Sequence, residues 1–181
     1  MILFFGPPGS GKSVQGQLLV ERNNWRWLST GELFRASKNP ELLARLATGE
    51  LIDDEITNQV LIEGLKQIDH DLTVVLDGYP RNTYQAEWLM DYLANEGSEI
   101  DLIIVFNVPE EELTRRLAGR GRDEDTLEVI KHRLDIYNDQ TQPVLAFYES
   151  QQLPIFHVDG LGELDEIHSR IQQGVEARGL A

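Results

Sequence analysis

There is no cysteine in this chain of 181 residues, which excludes disulfides, thiolate zinc sites and a cysteine nucleophile. That absence suits a reducing compartment, and the expected location is the cytoplasm. The four histidines, at 70, 132, 157 and 168, show neither His-x-His nor His-x₃-His spacing, so a dedicated imidazole metal site is not expected. Cations are scarce: 16 Lys and Arg stand against 31 Asp and Glu, a net charge of −15. A field of that sign disfavours nucleic acid and anionic membranes as partners. Long apolar runs are missing too. Ile2–Phe5 and Leu102–Phe106 fall far short of the ~20 residues of a membrane helix. Ile2–Phe5 is also too short for a signal-peptide core, has no basic residue before it and stops at Gly6-Pro7-Pro8. An untargeted protein is expected.

What is present is ordinary globular composition, 41% hydrophobic and 26% charged, at a length that fits one domain with a sizeable core. Ile2–Phe5, Thr73–Leu76, Leu102–Val108 and Ile155–Val158 are short β-rich runs bounded by Gly, Pro or Asp, the pattern of buried parallel strands. Trp25–Leu28 is a weaker fifth. Helical patterning covers about 12–22, 30–37, 40–48, 53–67, 83–95, 110–118, 127–149 and 164–177. Pro109 before Glu110, Glu111 and Glu112 makes a good helix start, and Pro143 should kink or split the long late helix. This alternation predicts an α/β sandwich around a parallel sheet. One stretch, about 30–67, is helical with no strand of its own, which suggests a subdomain standing off the sheet.

The first strand runs into Gly6-Pro7-Pro8-Gly9-Ser10-Gly11-Lys12-Ser13 and then a helix, the G-x₄-G-K-S phosphate loop in its required strand–loop–helix setting. Glycines let successive backbone N–H groups point into one concavity, and the helix N-terminus adds partial positive charge. In such loops the lysine, here Lys12, bridges the β- and γ-phosphates while a hydroxyl, here Ser13, reaches Mg²⁺.

Three later segments bear on the acceptor. In Ser29-Thr30-Gly31-Glu32-Leu33-Phe34-Arg35, Ser29 and Glu32 have the spacing of a capping box, which leaves Arg35 unexplained. The second is Gly49-Glu50-Leu51-Ile52-Asp53-Asp54-Glu55. The third, Asp77-Gly78-Tyr79-Pro80-Arg81-Asn82-Thr83-Tyr84-Gln85, follows the C-terminal end of a predicted strand, the edge where open α/β sheets bind ligands. Asp77 is placed there to position Mg²⁺ through water. A late region, Arg115-Arg116-Leu117-Ala118-Gly119-Arg120-Gly121-Arg122, is arginine-rich, and Arg133 follows on the next helix.

Taken together these ordered segments resemble the nucleoside monophosphate kinases, most closely the adenylate kinases of short-lid type. The resemblance covers nearly the whole chain. It implies a three-layer P-loop NTPase fold: a five-stranded parallel sheet with helices on both faces, a helical acceptor-binding insertion at 30–59 and a short lid at about 120–126. The resemblance further implies that Gly9, Ser10, Gly11, Lys12, Ser13, Val14, Arg116 and Arg120 bind ATP. Thr30, Gly31, Arg35, Leu51, Ile52, Gly78, Arg81 and Gln85 would bind AMP, with Arg35 and Arg81 on its phosphate and Thr30 and Gln85 facing its base. Lys12, Arg81, Arg122 and Arg133 would form the catalytic set, while Arg115 has no counterpart and is expected on the surface. Lys12, Arg35, Arg81, Arg116, Arg120, Arg122 and Arg133 are seven of the 16 cations, so a chain poor in positive charge spends much of it at phosphate-contact positions.

The implied reaction is in-line transfer of the γ-phosphoryl group of Mg-ATP to AMP, reversibly giving two ADP, by a monomer. An acceptor phosphate is already ionised and needs no general base. Residues 117–132, sixteen in all, separate Arg116 from Arg133, too few for the long β-rich lid of many relatives. Gly119 and Gly121 would let the short loop move. Two positions depart from the pattern. Gly11-Lys12-Ser13-Val14 stands where the family usually has G-K-G-T, moving the hydroxyl one place earlier. Asn82 follows Pro80-Arg81 where adenylate kinases typically carry Thr, and P-R-N is a feature of UMP/CMP kinases. Thr30 and Gln85 argue for AMP and Asn82 for a pyrimidine. A non-catalytic adenine-nucleotide-binding module, or a P-loop kinase of a small metabolite, would explain fewer of these residues.

Overall fold

The four side chains of β1 (Ile2–Phe5) are all buried, but they alternate between two separate cores. Leu3 and Phe5 point into one with Leu76, Ile103 and Val105, whereas Ile2 and Phe4 point into the other with Val75, Leu102 and Ile104. This period-two division is what a parallel strand covered on both faces requires. The remaining strands are β2 (Arg26–Ser29), β3 (Val74–Asp77), β4 (Leu102–Asn107) and β5 (Ile155–Asp159), all parallel, in the order β2-β3-β1-β4-β5. The computed structural model describes residues 1–69, 71–119 and 126–180.

Helices α1 (Lys12–Asn23) and α9 (Leu164–Glu176) cover one face through Leu19, Ile167, Ile171 and Val175. The other face is covered by α5 (Thr83–Asn95) and α8 (Gln142–Ser150), through Leu89, Leu93, Val144 and Tyr148. The expected three-layer α/β architecture with five parallel strands is therefore present. Between β2 and β3 the chain forms α2 (Thr30–Ser37), α3 (Pro40–Thr48) and α4 (Asp54–Leu65) with no strand among them. α3 buries none of its residues, whereas Leu61 of α4 belongs to the core of Leu3 and Leu76, and Leu33 of α2 packs against it.

Helix α6 (Glu110–Gly119) starts on the three glutamates after Pro109, as the sequence suggests. The late helix is split. α7 (Leu127–Ile136) gives way to a π turn at Tyr137–Thr141 before α8 begins. Pro143 has no N–H to continue an α ladder, and the chain widens ahead of it, with the Gln142 N–H reaching back to the Tyr137 carbonyl. Two expectations shift. β3 extends through Asp77, which places that carboxylate in the strand itself. Ser29 and Glu32 do not make a capping box: the Ser29 side chain caps nothing, and Glu32 Oε2 accepts from Trp27 Nε1 at 3.1 Å.

Gly174 of α9 lies against the Phe156 ring, where a Cβ would stand 2.4 Å from two ring carbons. Alanine would gain up to ~1 kcal/mol of helix propensity but overpack a face far from the loop, at a cost of ~1–3 kcal/mol. Gly174→Ala is expected to lower the urea midpoint while leaving nucleotide affinity unchanged.

Candidate active site

The order of the strands puts β1 between β3 and β4, and the chain leaves β1 towards β2 on one side but leaves β4 towards β5 on the other. That is where open α/β sheets form a crevice. The loop from Gly6 to Gly11 crosses it and opens α1, whose first turn carries no acidic residue to compete for an anion. Gly9, at φ +84°, could take no side chain, since a Cβ would come within 2.8 Å of Leu117. Lys12 Nζ donates to the Gly6 and Pro7 carbonyls at 2.6 and 2.9 Å and to Ser10 Oγ at 3.3 Å. Ser10 is buried; Val14 stands 54% exposed at the rim of the cleft.

The cleft encloses about 600 Å³, and Lys12, Arg35, Arg81, Arg116 and Arg133 all line it. They arrive from separate elements, three of them from α2, α6 and α7. Arg81 is the focus. Burial pushes its pKa below the ordinary value, Asp77 pulls it up, and Arg133 and Arg35 push it down again. Its Nε donates to the Gly78 carbonyl at 2.8 Å, which fixes the guanidinium. Arg116 is braced by Glu112 at 2.7 Å and by the Gly160 carbonyl at 2.9 Å. Arg133 Nη2 donates to the Leu46 carbonyl at 2.9 Å, near the end of α3. Gly49 allows that approach: at φ +86°, a Cβ there would meet Arg133 Cγ at 2.9 Å. Arg120 and Arg122 lie outside the described residues, as do residues 120–125 of the expected lid. Thr126, its last residue, caps α7. Among the described residues, nothing stands within 4 Å of where a Gly119 Cβ would be.

Beside the loop, Ser13 Oγ donates to Asp77 Oδ2 at 3.1 Å. Asp77 is 6% exposed, and its Oδ1 is buried with no donor among the described residues. A buried carboxylate oxygen without a partner is costly, and a cation would satisfy it. No group of three or more acidic or histidine side chains among the described residues could hold a metal unaided. A magnesium ion that takes one carboxylate and phosphate oxygens fits these residues.

Most of the residues expected to bind AMP surround a small recess that shares Leu51, Gly78 and Arg81 with this cleft. Thr30, Leu51, Ile52, Gly78, Arg81 and Gln85 line it, and Gly31 lines the cleft itself. Thr30 Oγ1 donates to the Gly78 carbonyl at 2.9 Å, so only its lone pairs remain for a ligand. Gln85 is 2% exposed; its Oε1 accepts from the Arg81 N–H and its Nε2 donates to Asp54 Oδ1, both at 2.8 Å. Asn82 uses both ends of its amide on structure, Oδ1 capping α5 and Nδ2 donating to Asp54 at 2.9 Å.

The adenylate kinase family model matches residues 4–153. The chain belongs to the adenylate kinase family. Relatives named adenylate kinase include those of Mycobacterium ulcerans, 39% identical over 96% of this chain and 98% of the relative, and Thermobifida fusca, 38% identical over 98% of both. Another, from Mycolicibacterium vanbaalenii, is 41% identical over 93% of this chain and 95% of its own length. In this adenylate kinase family member the sequence missed three contributors. Arg45 donates to the Leu51 carbonyl at 2.6 Å and to Asp53 at 2.7 Å, which ties the loop between α3 and α4. Thr141 Oγ1, delivered by the π turn, donates to the Arg81 carbonyl at 2.9 Å. Asp54 joins Asn82 and Gln85. Arg115 is 73% exposed, on the surface as expected, but forms a two-point pair with Glu112.

Hydrogen bonds from Arg115 and Arg116 hold the Glu112 carboxyl down at about 2, from an ordinary 4.5. A depressed carboxylate stabilises the fold above its unfolded pKa and loses that contribution as pH falls toward the folded one. Glu112→Gln is therefore expected to be less stable than wild type above pH 4.5, with the gap closing between pH 4.5 and 2 in denaturant titrations. A gap independent of pH would contradict this.

Proposed function

We propose that this chain transfers the γ-phosphoryl group of Mg-ATP to AMP, reversibly giving two ADP. The convergence of five cations from separate elements on one cleft, in a chain of net charge −15, carries the reading. ATP and AMP repel each other as their phosphates approach, and a site that lowers this barrier must hold positive charge at both ends and between them. The phosphate loop, with Gly9, Ser10, Gly11, Lys12 and Ser13, would hold the donor, and Arg116 and Arg120 its phosphates. Arg35 and Arg81 would grip the AMP phosphate, and Arg81, Arg122 and Arg133 the group in flight. Thr30, Gly31, Leu51, Ile52, Gly78 and Gln85 would seat the acceptor nucleoside.

Ser13 and Asp77 would hold Mg²⁺, the serine through its hydroxyl and the aspartate through water. The ion would neutralise charge on the β- and γ-phosphates. Lys12 is already beside the loop, so a small swing of its ammonium would reach bound phosphates. No side chain has to take a proton, because the acceptor oxygen is ionised from the start. Residues 30–59 would close over the acceptor and the short lid at about 120–126 over the donor, excluding water as a competing acceptor. The chain would work as a monomer in the cytoplasm, without nucleic acid or membrane partners. Asn82 gives no support to a pyrimidine acceptor, since both ends of its amide are engaged within the protein.

Lys12→Met is expected to abolish ADP formation with the unfolding midpoint nearly unchanged; an unchanged rate would overturn the mechanism. Assays with ATP and each of AMP, CMP, UMP and GMP test the acceptor. AMP should give the highest kcat/KM, and a tenfold preference for CMP or UMP, ~1.4 kcal/mol, would overturn that choice.

A further inference from the structure

Asp54 stands at the start of α4, and its Oδ1 accepts two hydrogen bonds from across the α4–α5 junction. Asn82 Nδ2 donates at 2.9 Å and Gln85 Nε2 at 2.8 Å. On the other side of the Gln85 carboxamide, Oε1 accepts from the Arg81 N–H at 2.8 Å. Neither contact can be reversed. An ionised carboxylate only accepts, and a backbone N–H only donates. The carboxamide is therefore held in one of its two orientations, with one Nε2 hydrogen and one Oε1 lone pair left over. Gln85 lines the recess with Thr30, Leu51, Ile52 and Gly78.

We propose that Asp54 is a positioning residue for acceptor choice: by fixing the orientation of the Gln85 carboxamide it makes the site discriminate a 6-aminopurine from a 6-oxopurine. This rests on the reading of the recess as the acceptor-base pocket. A 6-aminopurine presents a donor amine beside an acceptor ring nitrogen; a 6-oxopurine reverses both. An amide free to turn over serves either base, whereas a fixed one leaves two buried polar groups facing like partners when the wrong base enters. Unpaired polar groups of that kind are what give a binding site strong discrimination.

The test compares wild type with Asp54→Asn, Asp54→Glu and Asn82→Ser, using ATP with AMP or with IMP, which differs from AMP only at the 6-position edge. Asparagine keeps the shape and one acceptor but can also offer a donor, so turning Gln85 over costs only its Arg81 contact instead of both. The expected result for Asp54→Asn is a KM for AMP raised about tenfold, with KM for ATP and kcat within about twofold. The ratio of kcat/KM for IMP to that for AMP should rise about tenfold or more. Asp54→Glu, which keeps a carboxylate, should recover most of the wild-type ratio. Asn82→Ser still caps α5 but loses its bond to Asp54, and should leave the ratio unchanged. An unchanged ratio in Asp54→Asn, or an equal rise in Asn82→Ser, would overturn the proposal while leaving the acceptor reading intact. A wild type that does not use AMP would overturn both.

Discussion

The burial of positive charge is the constraint on which the cleft depends. Burial disfavours the charge on Arg81, and Arg133 and Arg35 lie close enough to add to that cost. Asp77 offsets part of it, and backbone carbonyls of Gly78 and Leu46 take up guanidinium hydrogens. What would relieve the remainder is an anion of high charge in the cleft.

The cluster could not be built locally. Its members come from the start of α1 and from α2, the segment after β3, α6 and α7, so the sheet edge gathers what the chain scatters. The same edge brings the Ser13 hydroxyl to Asp77, on the neighbouring strand β3, within hydrogen-bond distance. That pairing gives a physical meaning to the departure at Ser13-Val14. The hydroxyl has moved to a position that faces a buried carboxylate, and the residue after it is an exposed valine.

Strands and phosphate loop were legible in the sequence because each depends on local signals: a short β-branched or aromatic run, glycines at fixed offsets, a proline before acids. The ends of β3 and the fate of Ser29 were not. A capping box at α2 needs both Ser29 and Glu32, and Glu32 is drawn to Trp27, a neighbour that capping spacing ignores. The residues of the recess were picked out by resemblance, but their wiring was not. Thr30 and Gln85 share the recess, and their polar atoms are partly committed to Gly78, Arg81 and Asp54. Asn82 suggested a pyrimidine by pattern and proved to be a helix cap. Long-range hydrogen bonds of this kind leave no periodicity to read.

The π turn has a consequence of its own. It amounts to one residue more than an α-helical path from α7 to α8 would need, and α8 is locked in the core by Val144 and Tyr148. The surplus residue thus acts as a gear tooth that sets the rotational phase of α7. Removing it would turn α7 by about 100° about its axis. Arg133 would then face away from Leu46, and Pro143 would meet the α ladder that the wider turn now spares it. One surplus residue thus both accommodates the proline and aims the arginine.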